Sequence, residues 1–135
     1  MKKARKLRIL AFGDLHGNEA VLRMLAGKAK KADVIVCAGD FTVFEHNILR
    51  IMKKIDALGK PVMLVNGNHE DPGLVREICT RLRNVTFTHR GICHRPEFPG
   101  YAFVGHGGEG FDHISDDFER FARATKKLAE LKRQG

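Results

Sequence analysis

Three times in succession the sequence passes from a short apolar stretch, through a glycine-led polar loop, into a segment with helical periodicity. The stretches are Leu7 to Phe12, Asp33 to Ala38 and Pro61 to Asn66, and the loops open at Gly13, Gly39 and Gly67. Each stretch has the length of a strand and is bounded by turn residues, which reads as a buried strand. After the first, Asn18 is placed to cap a helix over Glu19 to Lys31, where Ala20, Val21, Met24 and Leu25 recur at helical spacing. The other two units predict helices over about Glu45 to Leu58, and from Pro72, which suits a first turn, to about Leu82. Strands alternating with helices of this length lie parallel and are joined by right-handed crossovers, so an α/β fold is expected.

Beyond Asn84 the pattern changes. Val85 to Thr88 and Tyr101 to Val104 are shorter strand-like pieces, separated by a Gly91 to Gly100 segment with two prolines, and antiparallel additions are expected there. The run Gly105-His106-Gly107-Gly108 reads as a tight loop, since it lacks the Lys-Ser/Thr ending of a phosphate-binding P-loop. Ser115, followed by Asp116 and Asp117, is placed to cap a last amphipathic helix carrying Phe118, Phe121, Leu128 and Leu131.

The 135 residues fit a single domain, 1–135, and 43% hydrophobic residues suffice for its core. No apolar run approaches the ~18 residues of a membrane span. The basic start, Met1 to Arg8, is followed by too short an apolar stretch for a secretory signal. Cys37, Cys79 and Cys93 are odd in number and form no Cys-x-x-Cys pair, which favours buried apolar roles and a cytoplasmic location. The formal net charge of +8 draws phosphate-bearing partners, whether a phosphate-ester small molecule, a nucleotide or nucleic acid. The basic residues are spread along the chain and over outer helix faces, as on an ordinary solvated surface.

In open α/β sheets ligands gather beyond the carboxyl ends of the strands, and those ends here carry Asp14, His16, Asp40, Asn68 and His69. Carboxylate, imidazole and amide oxygen make a mixed hard and borderline donor shell, suited to Mn²⁺, Fe, Zn²⁺ or Co²⁺. Asp14 and His16, two apart at a turn, can chelate one ion. Asp40 can bridge two, Asn68 can serve the second, and His69 can donate a proton to a leaving alkoxide or stabilise charge on a phosphoryl oxygen. Taken singly, each residue also reads as a cap or a loop-bonding residue, and only the combination points to phosphate ester hydrolysis.

Asp14-x-His16, Gly39-Asp40 and Gly67-Asn68-His69-Glu70, in this order at successive strand ends, resemble the first three signature blocks of the calcineurin-like metallophosphoesterases. The run from Gly100 to Gly108 is similar to a strand and glycine-rich loop of a small prokaryotic branch of that family. The resemblance implies a layered β-sandwich flanked by helices, and hydrolysis of phosphate mono- or diesters by attack of metal-bound hydroxide. It implies that Asp14 and His16 bind the first metal, Asp40 bridges, Asn68 binds the second, His69 is the catalytic acid and Glu70 supports them from behind. Mn²⁺ is the first expectation for the metal, with Fe, Zn²⁺, Ni²⁺ or Co²⁺ as alternatives.

Gly39-Asp40 continues as Phe41-Thr42-Val43, unlike the protein serine/threonine phosphatases. Two further blocks of the family, a histidine after a later strand and a Gly-His-x-His motif, have no counterpart in the sequence. The first metal then keeps three donors, the second only Asp40 and Asn68. Of His89, His94, His106 and His113, all in the later half of the chain, His106 and His113 are the loop histidines that could come near Asn68 as replacements, without paired spacing to support either. The expectation is an N-terminal portion of the sandwich, lacking its C-terminal strands, whose exposed sheet a second copy of the chain could cover. The competing reading is an inactive or single-metal derivative that binds a phosphate ligand or nucleic acid. A Rossmann-type nucleotide-binding domain is set aside, because Gly-x-Gly-x-x-Gly is missing after the first strand.

Overall fold

The structure is a computed structural model that describes residues 6–108 and 116–134. His113 and Ser115 lie outside the described residues, as does the side chain of Leu131. Four strands, β1 (Ile9–Phe12), β2 (Val34–Cys37), β3 (Val62–Leu64) and β4 (Val85–Phe87), form a parallel sheet in the order of the chain. The helices α1 (Glu19–Ala29), α2 (Ile48–Asp56) and α3 (Pro72–Cys79) are the crossovers between them. Because strand order follows chain order, every crossover steps the same way, and a constant right hand places all three helices on one face.

The register shows which face that is. Leu10, Ile35, Val62 and Val85 form one row across the sheet, and Phe12, Cys37, Leu64 and Phe87 form the next. Both rows belong to the core with Leu22 and Leu25 of α1, Ile51, Met52 and Ile55 of α2, and Val75 and Ile78 of α3. Side chains as fully buried as Ile35, Ile51, Ile55 and Leu64 each stabilise the fold by about 1.5–3 kcal/mol. Asn18 caps α1 by accepting from Val21 N at 3.2 Å, and Asp71 caps α3 through Leu74 N at 2.9 Å.

The opposite face is only partly covered. Ile9 is 53% exposed and Ala11 is exposed too, so β1 presents one row to the core and one outward. The expectation of a buried first strand is corrected accordingly: among the described residues β1 pairs only with β2 and lies at the sheet edge. Part of the open face is roofed by an antiparallel pair, β5 (Gly91–Cys93) with β6 (Phe103–Gly105). Phe103 lines a groove of about 330 Å³ with Val36, Met63 and Val65. The antiparallel additions expected after Asn84 are thus present, but β5 falls in a segment that reads as a connector in the sequence. The last helix, α4 (Asp116–Gln134), sets the rings of Phe118 and Phe121 at 5.2 and 5.4 Å from that of His106. Among the described residues no helix is long and apolar enough to cross a membrane.

Candidate metal centre

The three glycine-led loops meet beyond the carboxyl ends of β1, β2 and β3. Gly39 has a φ of +91°, and a Cβ there would lie 2.5 Å from Gly67 N. At Gly67 a Cβ would run into the Asp40 carboxylate. Only glycine allows the two loops to touch in this way. Strand-like pairing carries on past the strands: Asp14 N donates to Gly39 O at 3.2 Å, His16 N to Asp40 O at 3.0 Å and Gly17 N to Phe41 O at 2.8 Å. These bonds hold Asp14, His16 and Asp40 at φ of 52°, 47° and 49°. A left-handed backbone costs a non-glycine residue roughly 1–2 kcal/mol, and persists only where its surroundings over-determine it. Three of the four expected metal ligands therefore occupy strained positions on adjoining loops, and none of the three caps a helix.

Glu70 ties the second and third loops together from behind. Its Oε1 accepts from Asp40 N at 3.0 Å and Gly67 N at 2.9 Å, and its Oε2 from Thr42 N at 3.2 Å and Thr42 Oγ1 at 2.8 Å. Glu70 and Thr42 are both buried, and a buried carboxylate is tolerated when its oxygens are satisfied in this way. Asp40 Oδ1 accepts from His69 N at 3.1 Å. His69 Nδ1 accepts from Phe44 N at 3.2 Å, which leaves the ring's proton on Nε2. The His69 ring lies 4.5 Å from that of Phe44 and meets His16 edge-on at 5.1 Å.

Thr42 and Phe44 carry no signal in the sequence. Phe44, Glu45 and Asn47 are all left-handed, so α2 opens at Ile48, later than the expected Glu45. The residues freed from the helix form the loop that delivers Phe44 to His69. Asn66 likewise reads only as a strand end in the sequence. It is buried, and exchanges bonds with the glycine-rich loop, taking Gly108 N on its carbonyl at 2.9 Å and giving Nδ2 to Gly108 O at 3.0 Å.

Asp14 Oδ1 and His16 Nε2 are 3.8 Å apart, with both side chains open to solvent. Two donors bound at about 2.1 Å to one ion lie at most about 4.2 Å apart, so the pair fits a shared divalent cation. Asn68 and His69 line a cavity of about 410 Å³ together with Phe44, Glu70, His89 and Gly108. Among the described residues no three His, Cys, Asp or Glu side chains are gathered into one cluster. Asp14 with His16, Asp40, and Asn68 instead stand on three neighbouring loops, and their oxygen and nitrogen donors suit a metal of the Mn²⁺ or Zn²⁺ type. His106 is not free to replace a missing ligand. Its Nε2 is 3.0 Å from Asp117 Oδ2, its Nδ1 is 2.8 Å from Gly107 O, and the side chain is 5% exposed.

Comparison with known proteins accords with this geometry. The family model described as calcineurin-like phosphoesterase matches residues 7–131. The chain belongs to that family. Its members are in general hydrolases of phosphate esters that use divalent metals. Two solved structures share the fold. One crystal structure superposes with a TM-score of 0.70 at 17% identity, covering 89% of this chain and 64% of that one. The crystal structure of TT1561 of Thermus thermophilus gives a TM-score of 0.66 at 19% identity, covering 91% and 64%. The chain thus spans just under two thirds of the length of either structure. No curated protein matches the sequence.

Proposed function

We propose that the chain hydrolyses phosphate mono- or diesters with the help of a divalent metal, Mn²⁺ being the first candidate. Asp14, His16 and Asp40 hold the principal ion, and Asn68 serves a second. The observation that carries this reading is the left-handed backbone of Asp14, His16 and Asp40, maintained by bonds between the loops that follow β1 and β2, with the loop after β3 tied to them through Glu70. When bound, the metal supplies Lewis-acid polarisation of a phosphoryl oxygen and acidifies water. The protein's own groups position and neutralise. Glu70 fixes the backbone of Asp40 and Gly67, and so the placement of the Asp40 carboxylate and of Asn68. Phe44 N, by donating to His69 Nδ1, keeps the hydrogen of that ring on Nε2. In this tautomer His69 offers a hydrogen bond to a phosphoryl or leaving oxygen, where negative charge develops. The net charge of +8 draws phosphate esters or nucleotides toward the molecule as a whole.

Hydrolysis of an aryl phosphodiester and an aryl phosphomonoester, measured with Mn²⁺ and with chelator, tests the reading. Turnover is expected with Mn²⁺ only, and Asp40→Asn should reduce it by roughly 100-fold or more. Turnover that ignores both chelator and Asp40→Asn would overturn it. Salt-sensitive binding of nucleic acid without metal-dependent turnover would favour the noncatalytic reading.

A further inference from the structure

A fourth strand end contributes to the cavity. Beyond β4 the chain passes through buried Thr88, whose N donates to Leu64 O at 2.9 Å, and then places His89 in the wall shared by Asn68 and His69. We propose that His89 recognises the phosphate group of the ligand, donating a hydrogen bond from Nε2 to a phosphoryl oxygen in this cavity. The proposal deepens the phosphoesterase reading and rests on it for the identity of the ligand.

Gly107 N donates to His89 Nδ1 at 2.7 Å. With Nδ1 occupied as an acceptor, the proton of the neutral ring is on Nε2. Neither nitrogen then has a lone pair for a cation, so His89 is an anion donor and not a replacement for the missing metal ligand. Burial, then the neighbouring His106, lowers its pKa below the usual imidazole range, which keeps that single proton in place. With Nδ1 engaged by Gly107, Nε2 carries the remaining N–H of a ring that lines the cavity. The ring is held between Phe87, 5.9 Å away, and His106, which meets it edge-on at 5.0 Å. His106 is itself anchored to Asp117 and Gly107.

His89 repeats the device seen at His69, where Phe44 N occupies Nδ1. Two imidazoles with the same tautomer, set by two different backbone amides, thus line one cavity of about 410 Å³. The carboxylates in its wall are already engaged with backbone amides: Glu45 accepts from Asp71 N, Asp71 from Leu74 N, and Glu70 from Asp40, Thr42 and Gly67. They repel an incoming anion less than unpaired carboxylates would.

The probe is inorganic phosphate, titrated calorimetrically into Mn²⁺-loaded wild type, His89→Phe and His89→Gln, with metal content and melting temperature measured on the same samples. His89→Phe should weaken phosphate by about 10-fold, the effect of losing one hydrogen bond to a charged group, and leave metal per chain unchanged. His89→Gln, which keeps an N–H donor, should recover much of that loss. Unaltered phosphate affinity in a folded His89→Phe would overturn the proposal, and so would loss of metal, which would make His89 a ligand. A long-range ¹H–¹⁵N spectrum of the Zn²⁺-loaded wild type needs no variant. It should show His89 protonated at Nε2 and shifting with phosphate, and protonation at Nδ1 or the absence of a shift would also overturn the proposal. If metal-loaded wild type takes up no phosphate, the phosphoesterase reading falls and this one with it. If wild type binds and hydrolyses as expected and His89→Phe does both equally well, only the role of His89 falls.

Discussion

Asp14 is the clearest case of a residue placed at a cost to the fold. Its side chain is 79% exposed and its backbone left-handed, so it packs against little and strains the loop. Asp14→Gly should raise stability by roughly 0.5–1 kcal/mol, as relief of φ outweighs the entropy of the added glycine, while Mn²⁺ affinity falls. Thermal unfolding and a metal titration of the same variant check both halves. Glu70 makes the opposite case. Replacing it with Gln turns an acceptor oxygen into a donor facing N–H or O–H groups, at a cost of about 2–4 kcal/mol read from denaturant unfolding. The placement of Asp14, His16, Asp40, Asn68 and His69 at neighbouring strand ends is legible in the sequence because donor-bearing types follow strand and glycine at each loop. The contacts of Thr42 and Phe44 and the place of His89 in the cavity wall are not, because they arise only when loops distant in the chain close on one another.

Among elements, the parallel strands and three crossover helices are readable from apolar run length and periodicity, with ends displaced by at most three residues. The errors have physical causes. The start of α2 is displaced because Thr42 is bound to Glu70 and Phe44 to His69, which holds the chain out of the helix until Asn47. Gly91-Ile92-Cys93 is not recognisable as β5 because three residues are too few to display alternation, and only pairing with β6 makes them a strand. The contact of the Gly39 and Gly67 loops is the element-scale feature most open to test. Gly67→Ala inserts a methyl into the space of the Asp40 carboxylate, with backbone close by. It should cost about 2 kcal/mol or more and reduce Mn²⁺ binding, although residue 67 is no ligand. A calorimetric metal titration beside an unfolding curve separates the two effects.

For the molecule as a whole, the helices cover one face of the sheet and leave Ile9 and Ala11 open on the other. The matched structures are longer than this chain, which spans 64% of each. A second copy of the chain seated on that face is our proposal for its cover in this form, and sedimentation should then show a dimer that Ile9→Lys disperses. The core also sets an alkaline limit. Burial pushes the Cys37 thiol up to about 12, and that of Cys79 up to about 11. An unfolded thiol ionises near its ordinary value of 9.0, so above that pH the unfolded chain has released a proton that the fold retains. The fold binds more protons than the unfolded chain, and stability falls as pH rises from about 9 toward 12. Unfolding measured between those values should be less pH-dependent in Cys37→Ala than in wild type.

The central claim is that the adjoining loops at three strand ends, two of them strained at Asp14, His16 and Asp40, exist to hold a catalytic divalent ion. Metal per chain, determined by mass spectrometry after Mn²⁺ loading and dialysis, tests it most directly in wild type, Asp14→Gly and Asp40→Asn. We predict at least one retained ion per wild-type chain, and its loss in both variants while they still melt cooperatively, Asp14→Gly at or above the wild-type temperature. A wild type that retains no ion, or variants that retain as much as it does, would contradict the claim.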